Sequence, residues 1–395
     1  MTDMKKVTVV MVGIGGYGNT VLKNMLPNLE KWGITLAGAV DPAWEKAPLW
    51  QELEKLEVPH FDSLAEFYRE NKADLAILCT PIHFHESHAV TAMKHGSDVL
   101  CEKPIAATLL QAQRMAQAAR ETGRKLHIGF QLSYVPSVWR LKKDIMAGVL
   151  GAPKRLTSLI SWPRDSAYYA RPWCAKIKKD GHYVLDSIAM NACAHYLHIL
   201  FFLLGKTMDT SAEPTYAEGI LCRANDIETF DTAMLRIGAA GATLEFLATH
   251  AGADRITPRM RFVFENAVVE MTETDGEAAI CATFRDGTVK HYGAVRPDFF
   301  NKIPYCCDAV RGREAAVCTV KTATPHLKTV DAVTEGIPVV KLTGSKNEKD
   351  VTVVEGLVEI LQQSFRENKM PWELTDHYGT PTRLELTDYV WRDTL

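Results

Sequence analysis

The segment that most constrains this chain is a glycine-rich turn between a short apolar run and a helical pattern. Residues 7–12 read V-T-V-V-M-V, and residues 13–18 read G-I-G-G-Y-G. In such a turn the first glycine permits a tight bend, the second lets the backbone approach a pyrophosphate, and the third lets the helix pack against the sheet. The N–H groups and dipole of the helix N-terminus favour phosphate. This context predicts a dinucleotide-binding turn. Its residues are Gly13, Gly15, Gly16, Tyr17 and Gly18.

Strand and helix patterns then alternate through the first third of the chain. The predicted strands are residues 7–12, 35–40, 75–79, 98–101 and 125–130. The predicted helices are residues 16–29, 63–70, 85–94 and 109–121. Alternation at this spacing indicates a parallel sheet with helices on both faces. We therefore expect an α/β Rossmann domain over residues 1–130.

The rest of the chain shows a different pattern. The predicted strands follow one another closely, at residues 216–222, 229–237, 243–249, 260–265, 267–271 and 278–284. The predicted helices are residues 136–147, 187–204 and 354–367. Hairpins without intervening helices imply antiparallel pairing, and 395 residues exceed the size of one ordinary core. We expect residues 131–395 to form an α+β domain with an open, mainly antiparallel sheet, for substrate binding and oligomerisation.

Composition and charge exclude several classes of function. The formal net charge is −3 without a block of like charge, which argues against a nucleic-acid or anionic-membrane partner. The apolar runs stay well below the ~20 residues of a membrane span, and no signal-peptide pattern opens the chain. Nine cysteines without framework spacing indicate reduced thiols in the cytoplasm. His83, His85 and His88 lack companion ligands, so we expect no metal site.

An acidic residue, Asp41, ends the second predicted strand. A carboxylate at this place in a dinucleotide-binding domain bonds the adenosine ribose hydroxyls and disfavours the extra phosphate of NADP. The next three residues, P-A-W, include no arginine. The sequence therefore favours NAD over NADP. The alternative is that Asp41 is only a turn residue before Pro42.

Three further motifs follow in a characteristic order. Residues 79–81 read C-T-P with His85 after them, residues 92–96 read A-M-K-H-G, and residues 99–104 read V-L-C-E-K-P. Together with the glycine-rich turn, they resemble the glucose–fructose oxidoreductase/inositol dehydrogenase family (Gfo/Idh/MocA). The E-K-P motif is the most specific of them.

The resemblance implies roles for individual residues. Lys103 is expected to bind substrate and assist proton transfer, Glu102 to contact the nicotinamide ribose, and the Lys103–Pro104 bond to be cis. The other cofactor contacts that it implies are Thr80, Pro81, His85, Lys103 itself and Gln131.

The resemblance extends to the predicted helix 187–204, where the family's histidine falls on His195 and its aspartate on Asn191. The asparagine is a departure, because it cannot take a proton. Asp186 or Ser187 is a candidate helix cap. Without the resemblance, His195 would be read as a hydrogen-bonded core histidine, and His198 keeps that reading.

Oxidation of an alcohol requires removal of a hydride to nicotinamide and of a proton to a base. Histidine side chains ordinarily titrate near neutrality, so His195 is a candidate for the proton transfer. Lys103 would stabilise the reacting oxygen, or act as the base if burial lowers its pKa. Asn191 would orient a substrate hydroxyl. We therefore expect an NAD-dependent oxidoreductase acting on a sugar, glycoside or cyclitol. The alternatives are a redox-neutral enzyme that recycles NAD in place and a non-catalytic sugar or NAD sensor of the same fold.

A segment rich in aromatic and basic residues, including Tyr168, precedes that helix. Aromatic rings can stack on sugars, and arginine and lysine can bond hydroxyls or a carboxylate; the alternative is a purely structural loop. The candidate substrate-binding residues are Trp162, Arg164, Tyr169, Arg171, Trp173 and Lys176.

Alternation of Leu244, Phe246 and Ala248 predicts an apolar sheet face that needs cover. Together with the resemblance, it predicts a homodimer or homotetramer assembled through the exposed face of the antiparallel sheet.

Overall fold

The computed structural model describes residues 5–274 and 277–391, and they form two compact units. The first contains the residues up to Ala106, Leu110–Tyr134 and Asp298–Ala323, and the second contains Ala107–Leu109, Val135–Pro297 and the residues from Thr324 onward. These units differ from the predicted division into 1–130 and 131–395 at residues 107–109, which lie in the second unit, and at residues 131–134 and 298–323, which lie in the first.

The first unit is built on a parallel sheet. Its strands are β1 Val7–Val12, β2 Ile34–Val40, β3 His60–Phe61, β4 Leu75–Leu78, β5 Asp98–Cys101 and β6 Leu126–Ile128. The helices that alternate with them are α1 Gly16–Met25, α2 Leu29–Trp32, α3 Trp50–Lys55, α4 Leu64–Glu70, α5 His85–Lys94 and α6 Leu109–Thr122. The strand order is β3-β2-β1-β4-β5-β6, and every neighbouring pair is parallel. This is the Rossmann order, as predicted.

Local chemistry sets the helix ends in this unit. The predicted helix 16–29 is interrupted by a 3₁₀ turn, Leu26–Asn28, because Pro27 has no N–H to donate within a helix. Helix α4 starts after Ser63, whose hydroxyl accepts the N–H of Glu66 at 3.2 Å, an N-cap. Strands β4 and β5 are buried at every residue, as expected of strands covered on both faces.

The remaining elements follow in chain order. The helices are α7 Pro136–Met146, α8 Ser166–Tyr169, α9 Ala194–Leu203, α10 Lys302–Val310, α11 Val320–Gly336 and α12 Leu357–Glu367. The strands are β7 Pro153–Ser161, β8 Lys178–Lys179, β9 His182–Tyr183, β10 Pro214–Arg223, β11 Thr232–Ala239, β12 Ala242–Thr249, β13 Ile256–Phe264, β14 Ala267–Thr274, β15 Glu277–Phe284, β16 Val289–Ala294, β17 Val339–Lys341, β18 Ser345–Lys346, β19 Thr352–Val353 and β20 Thr382–Glu385. Helix α10 belongs to the first unit and the strands to the second.

The second unit is built on a ten-stranded sheet in the order β16-β15-β14-β13-β7-β12-β11-β10-β17, with β20 also paired to β10. Its pairs are antiparallel except β7 with β12 and β10 with β17. The prediction of a mainly antiparallel sheet is therefore confirmed. The sequence did not predict β16 or helices α10 and α11.

Both faces of the central strands of this sheet are covered. On one face Leu247 of β12 belongs to an apolar cluster that includes Leu357 and Leu361 of α12. On the other face Leu244, Phe246 and Ala248 are also buried, and α9 contacts β7 and β12. The expectation that Leu244, Phe246 and Ala248 form an exposed face is wrong, because the chain's own helices cover the strands that carry them.

The predicted single helix 187–204 is broken in two. Residues Ile188–Ala192 form a π-helical turn, Cys193 leaves helical geometry with φ −105° and ψ 10°, and α9 follows. Ser187 caps the turn, since its hydroxyl accepts the N–H of Met190 at 3.2 Å. His326 of α11 contacts the carbonyl of Ala189 at 2.9 Å through Nε2. π-Turns are common at functional sites, and this one carries Asn191.

Within residues 5–274 and 277–391, the structure contains no helix of the length and apolar character that a membrane crossing requires.

Candidate functional site

The glycine-rich turn joins β1 to α1 in the first unit. A Cβ on Gly18 would lie 2.0 Å from the carbonyl oxygen of Gly13, and one on Gly13 would lie 2.9 Å from that of Cys79. These two glycines are therefore required for close packing. A Cβ on Gly15 or Gly16 would meet nothing within 4 Å, so the turn is open above them. Gly15 is the N-cap of α1 and provides no side-chain cap. The open turn and uncapped N–H groups fit a dinucleotide pyrophosphate.

Asp41 ties the end of β2 to this turn. Its Oδ2 accepts the N–H of Ile14 at 3.0 Å, and its Oδ1 accepts the N–H of Ala43 at 2.9 Å. Each carboxylate oxygen can accept more than one bond, so the side chain can still receive ribose hydroxyls. The bond to Ala43 also shows that Asp41 is a turn residue, and the two roles are compatible.

His85 links the loops after β4 and β5. Its Nδ1 lies 2.8 Å from the carbonyl oxygen of Pro104, and its Nε2 lies 2.9 Å from that of Thr80. The ring is 1% exposed, and burial lowers its pKa. The structure thus gives His85 a positioning role for the T-P and E-K-P segments, because both ring nitrogens already face carbonyl oxygens.

Three other predicted site residues of the loops after β4 and β5 are half-buried. Thr80 and Pro81 are half-buried, and the Thr80 hydroxyl lies 3.2 Å from Nδ1 of His88. The Lys103–Pro104 bond is cis, as the resemblance implies, and Lys103 is half-buried. Within the described part of the chain, no three metal-ligating side chains come together.

Glu102 pairs with a lysine that the sequence analysis missed. The ammonium of Lys302, on α10, is fully buried and donates to Glu102 Oε1. It also lies 3.3 Å from the hydroxyl of Tyr17, which donates to Gln131 Oε1 at 3.1 Å. Burial by itself lowers the pKa of Lys302, but the charge of Glu102 outweighs burial and raises this pKa. The Lys302 ammonium therefore stays protonated.

The second oxygen of Glu102, Oε2, is buried and has no hydrogen-bond partner in the described residues. A Cβ on residue 129 would lie 2.7 Å from it, so Gly129 leaves the room that the carboxylate occupies. A buried acceptor without a donor is costly. It fits a ligand hydroxyl, such as that of a ribose.

In the second unit Asn191 is paired with an acid. Its Nδ2 donates to Asp186 Oδ1 at 2.8 Å, and Asp186 Oδ2 accepts the N–H of Ala175 at 2.6 Å. Burial raises the pKa of Asp186. Asp186 thus places a carboxyl group beside the residue that replaces the family's aspartate. His195 is 9% exposed, on α9 beyond the break.

His198, one turn further along α9, is fully buried, and burial holds its pKa well below the ordinary value. It stacks on Phe202 at 6.0 Å between ring centroids. This agrees with the prediction that His198 is a core residue.

The aromatic and basic segment forms a compact cluster in the second unit. The guanidinium of Arg171 lies 4.1 Å from the ring centroid of Tyr168 and 4.7 Å from that of Trp173. The guanidinium of Arg164 also lies near Tyr168, at 4.5 Å from the ring centroid. Lys176 is not part of this cluster, because its ammonium pairs with Glu228 at 2.8 Å on an exposed surface.

His250, Arg255 and Tyr169 complete the cluster. His250 Nδ1 lies 2.8 Å from the carbonyl oxygen of Trp162, and burial, followed by the charge of Arg164, lowers its pKa to about 3. Arg255 lies 5.3 Å from the Trp162 ring centroid. Tyr169 is half-buried, and burial raises its pKa. The sequence analysis did not single out His250 or Arg255.

A family model described as an oxidoreductase family with an NAD-binding Rossmann fold matches residues 7–130. Over these residues the chain is similar to the Gfo/Idh/MocA family. The match includes the glycine-rich turn, Asp41 and the E-K-P motif, so the resemblance seen in the sequence is confirmed.

Curated relatives match a similar part of the chain. Inositol 2-dehydrogenase of Rubrobacter xylanophilus is 28% identical over 152 residues, which is 38% of this chain and 43% of the relative. D-glucoside 3-dehydrogenase of Escherichia coli is 36% identical over 80 residues, which is 20% of this chain and 23% of the relative. The matched part of the chain thus spans less than half the length of these relatives.

The fold match is broader than the sequence match. The WlbA dehydrogenase of Bordetella pertussis, solved with NADH and UDP-GlcNAcA, aligns with a TM-score of 0.67 at 20% identity, covering 83% of this chain and 95% of that one. This similarity confirms the fold of a Rossmann unit followed by a second sheet. The Gfo/Idh/MocA motifs pointed to Glu102 but could not indicate Lys302, which lies two hundred positions later.

Proposed function

We propose that this chain, which is similar to the Gfo/Idh/MocA family over its first unit, is an NAD-dependent oxidoreductase that transfers hydride between nicotinamide and a hydroxyl-bearing carbon of a sugar, glycoside or cyclitol. The observation that carries this proposal is a set of groups in the first unit that can bind a dinucleotide. An open glycine turn, the Asp41 carboxylate and the unpartnered Oε2 of Glu102 all belong to one Rossmann unit. The curated relatives named as inositol and glucoside dehydrogenases support the substrate class.

The cofactor-binding roles follow from these groups. The glycine turn would hold the pyrophosphate, Asp41 the adenosine ribose, and Glu102 the second ribose. Thr80, Pro81 and Gln131 would complete the site, with His85 holding the two loops in place. Bound NAD supplies the hydride acceptor or donor, and the protein's residues move the proton.

For the proton transfer we propose His195 as general acid–base and Lys103 as the group that holds the reacting oxygen. Asn191 would orient a substrate hydroxyl while its amide stays bonded to Asp186. The candidates for substrate contact are Trp162, Arg164, Tyr169, Arg171 and Trp173, which lie in one cluster; Lys176 is already paired with Glu228.

The test is a panel of sugars, cyclitols and glycosides with NAD, followed at the nicotinamide absorbance. His195→Ala and Lys103→Ala should each lower turnover by about 100-fold to 10,000-fold, with NAD affinity nearly unchanged. The exposed residues His377 and Lys55 provide matched controls, and His377→Ala and Lys55→Ala should turn over like wild type. Wild-type turnover by both site variants would refute these roles. Substrate conversion without accumulation of NADH would indicate in-place recycling.

Cofactor preference is a separate proposal, NAD over NADP, and rests on Asp41. Calorimetric titration should show tighter binding of NAD, and Asp41→Ala should reduce the difference between the two cofactors. Tighter NADP binding by wild type would contradict it.

We also propose a homodimer or homotetramer located in the cytoplasm. Self-association rests on the family resemblance, because the sheet face first expected to mediate it is covered within the chain. The location rests on nine cysteines that are all free thiols, as is usual in a reducing compartment. Light scattering at micromolar concentration tests the assembly, and a monomer mass would refute it.

A further inference from the structure

Three arginines of the second unit lie beside aromatic rings and not beside carboxylates. Arg164 lies 5.8 Å from the ring centroid of Trp162, and Arg255 lies 5.3 Å from the same ring. Arg171 donates to the carbonyl of Tyr168 at 3.0 Å and contacts Cys174 Sγ at 3.1 Å. Among the described residues none of the three forms an ion pair with a carboxylate. Their positive charge is therefore not neutralised by a direct partner.

Two donors beside these arginines are buried without an acceptor. Within residues 5–274 and 277–391, Nε of Arg164 and Nε1 of Trp162 have no hydrogen-bond partner. Both atoms can only donate. A neutral sugar hydroxyl donates as well as accepts, whereas a carboxylate or phosphate oxygen only accepts. A set of donors without acceptors therefore matches an oxyanion better than a hydroxyl.

The nearby buried acids are held mainly by other donors. Asp186 accepts hydrogen bonds from the N–H of Ala175 and the side-chain amide of Asn191, and of the three arginines it interacts electrostatically with Arg171. Asp231 accepts the N–H groups of Ala224 and Asn225 at 3.0 and 2.9 Å. His250, in contact with the Trp162 carbonyl, is uncharged near neutral pH, because burial and the Arg164 charge lower its pKa. Arg164 and Arg255 are therefore the cations of the cluster with which no carboxylate of the described residues forms an ion pair.

We propose that Arg164, Arg255 and the indole N–H of Trp162 form a subsite for an oxyanion carried by the substrate. The substrate class would then be acidic sugar derivatives, in which a carboxylate or phosphate accompanies the hydroxyl that is oxidised. This subsite assumes the sugar oxidoreductase activity proposed above and adds the charge of its substrate. A guanidinium offers paired donors to either group.

The experiment compares substrates that share one ring and differ in charge: glucose, glucuronate and glucose 6-phosphate, each with NAD. We expect wild type to have the highest kcat/KM with an acidic sugar. Arg164→Gln and Arg255→Gln should raise KM for that sugar by about 10-fold to 100-fold more than they raise KM for glucose. Arg259→Gln, an exposed arginine on β13, is the matched control. Preference for glucuronate or for glucose 6-phosphate identifies the anion as carboxylate or phosphate.

Equal use of glucose and the acidic sugars would overturn the subsite, as would an equal effect of Arg164→Gln on all three. If no sugar is turned over although NAD binds, the proposed function fails but the subsite is still tested. Calorimetric titration of the NAD-bound protein with glucuronate and with glucose 6-phosphate then decides. Binding that Arg164→Gln abolishes supports the subsite, and absence of binding to wild type refutes it.

Discussion

Replacing Lys302 by methionine should destabilise the first unit strongly. The Lys302 side chain is 0% exposed and that of its partner, Glu102, is 6% exposed, so solvent cannot screen the charge that remains. Methionine keeps most of the apolar stem but leaves a buried carboxylate without a cation. Breaking a buried pair in this way costs about 3–5 kcal/mol.

A double variant separates charge from packing. Glu102→Gln together with Lys302→Met removes both charges and retains a side chain that fits beside Gly129. It should recover most of the lost stability, because replacing both members of a buried pair is often nearly neutral. The control is Lys346→Met, which breaks an exposed pair with Asp350 and should cost ~1 kcal/mol or less.

Hydrogen exchange read by mass spectrometry can locate the effect. In Lys302→Met, exchange should accelerate in peptides that contain β4 and β5 and stay unchanged in peptides that contain β10 and β11, because the pair belongs to the first unit. Wild-type protection of β4 and β5 in the single variant would refute the reasoning. So would a double variant less protected than the single one.

The other predictions concern a buried histidine and the glycine turn. His127 is fully buried and burial lowers its pKa from 6.5 to about 4, so between these values the unfolded chain binds a proton that the folded chain does not. The free energy of unfolding should therefore fall as pH falls through this window, by about 2 kcal/mol at pH 5 for this histidine. His127→Leu should remove that part of the acid sensitivity in pH-dependent unfolding curves. An unchanged pH profile in this variant would contradict the assignment. Gly18→Ala should destabilise the first unit by about 1–3 kcal/mol in thermal unfolding, because its Cβ would meet the Gly13 carbonyl at 2.0 Å. Gly15→Ala has room and should unfold like wild type yet bind NAD weakly in calorimetry; wild-type affinity would argue against the turn as the pyrophosphate site.

Much of the first unit could be predicted from the sequence. Strand β1 and helix α5 have the bounds that their patterns predict, and Asp41 follows β2 as expected. The requirement for Gly13 and Gly18 is visible in the motif itself. These features depend on side chains a few positions apart, so apolar periodicity and glycine spacing carry the information.

The tertiary structure decided the features that join distant parts of the chain. Lys302 neutralises Glu102 across two hundred positions. Helix α12 covers a sheet face whose strands lie more than a hundred residues earlier. Arg255 and Trp162 meet only because β13 pairs with β7. Such contacts leave no periodic pattern in the sequence, because each depends on burial and charge at a point where separately formed elements pack. The sequence alone thus determined the nucleotide-binding unit and its motif. The position of Arg255 beside Trp162 and the pairing of Lys302 with Glu102 depend on how separately formed elements pack.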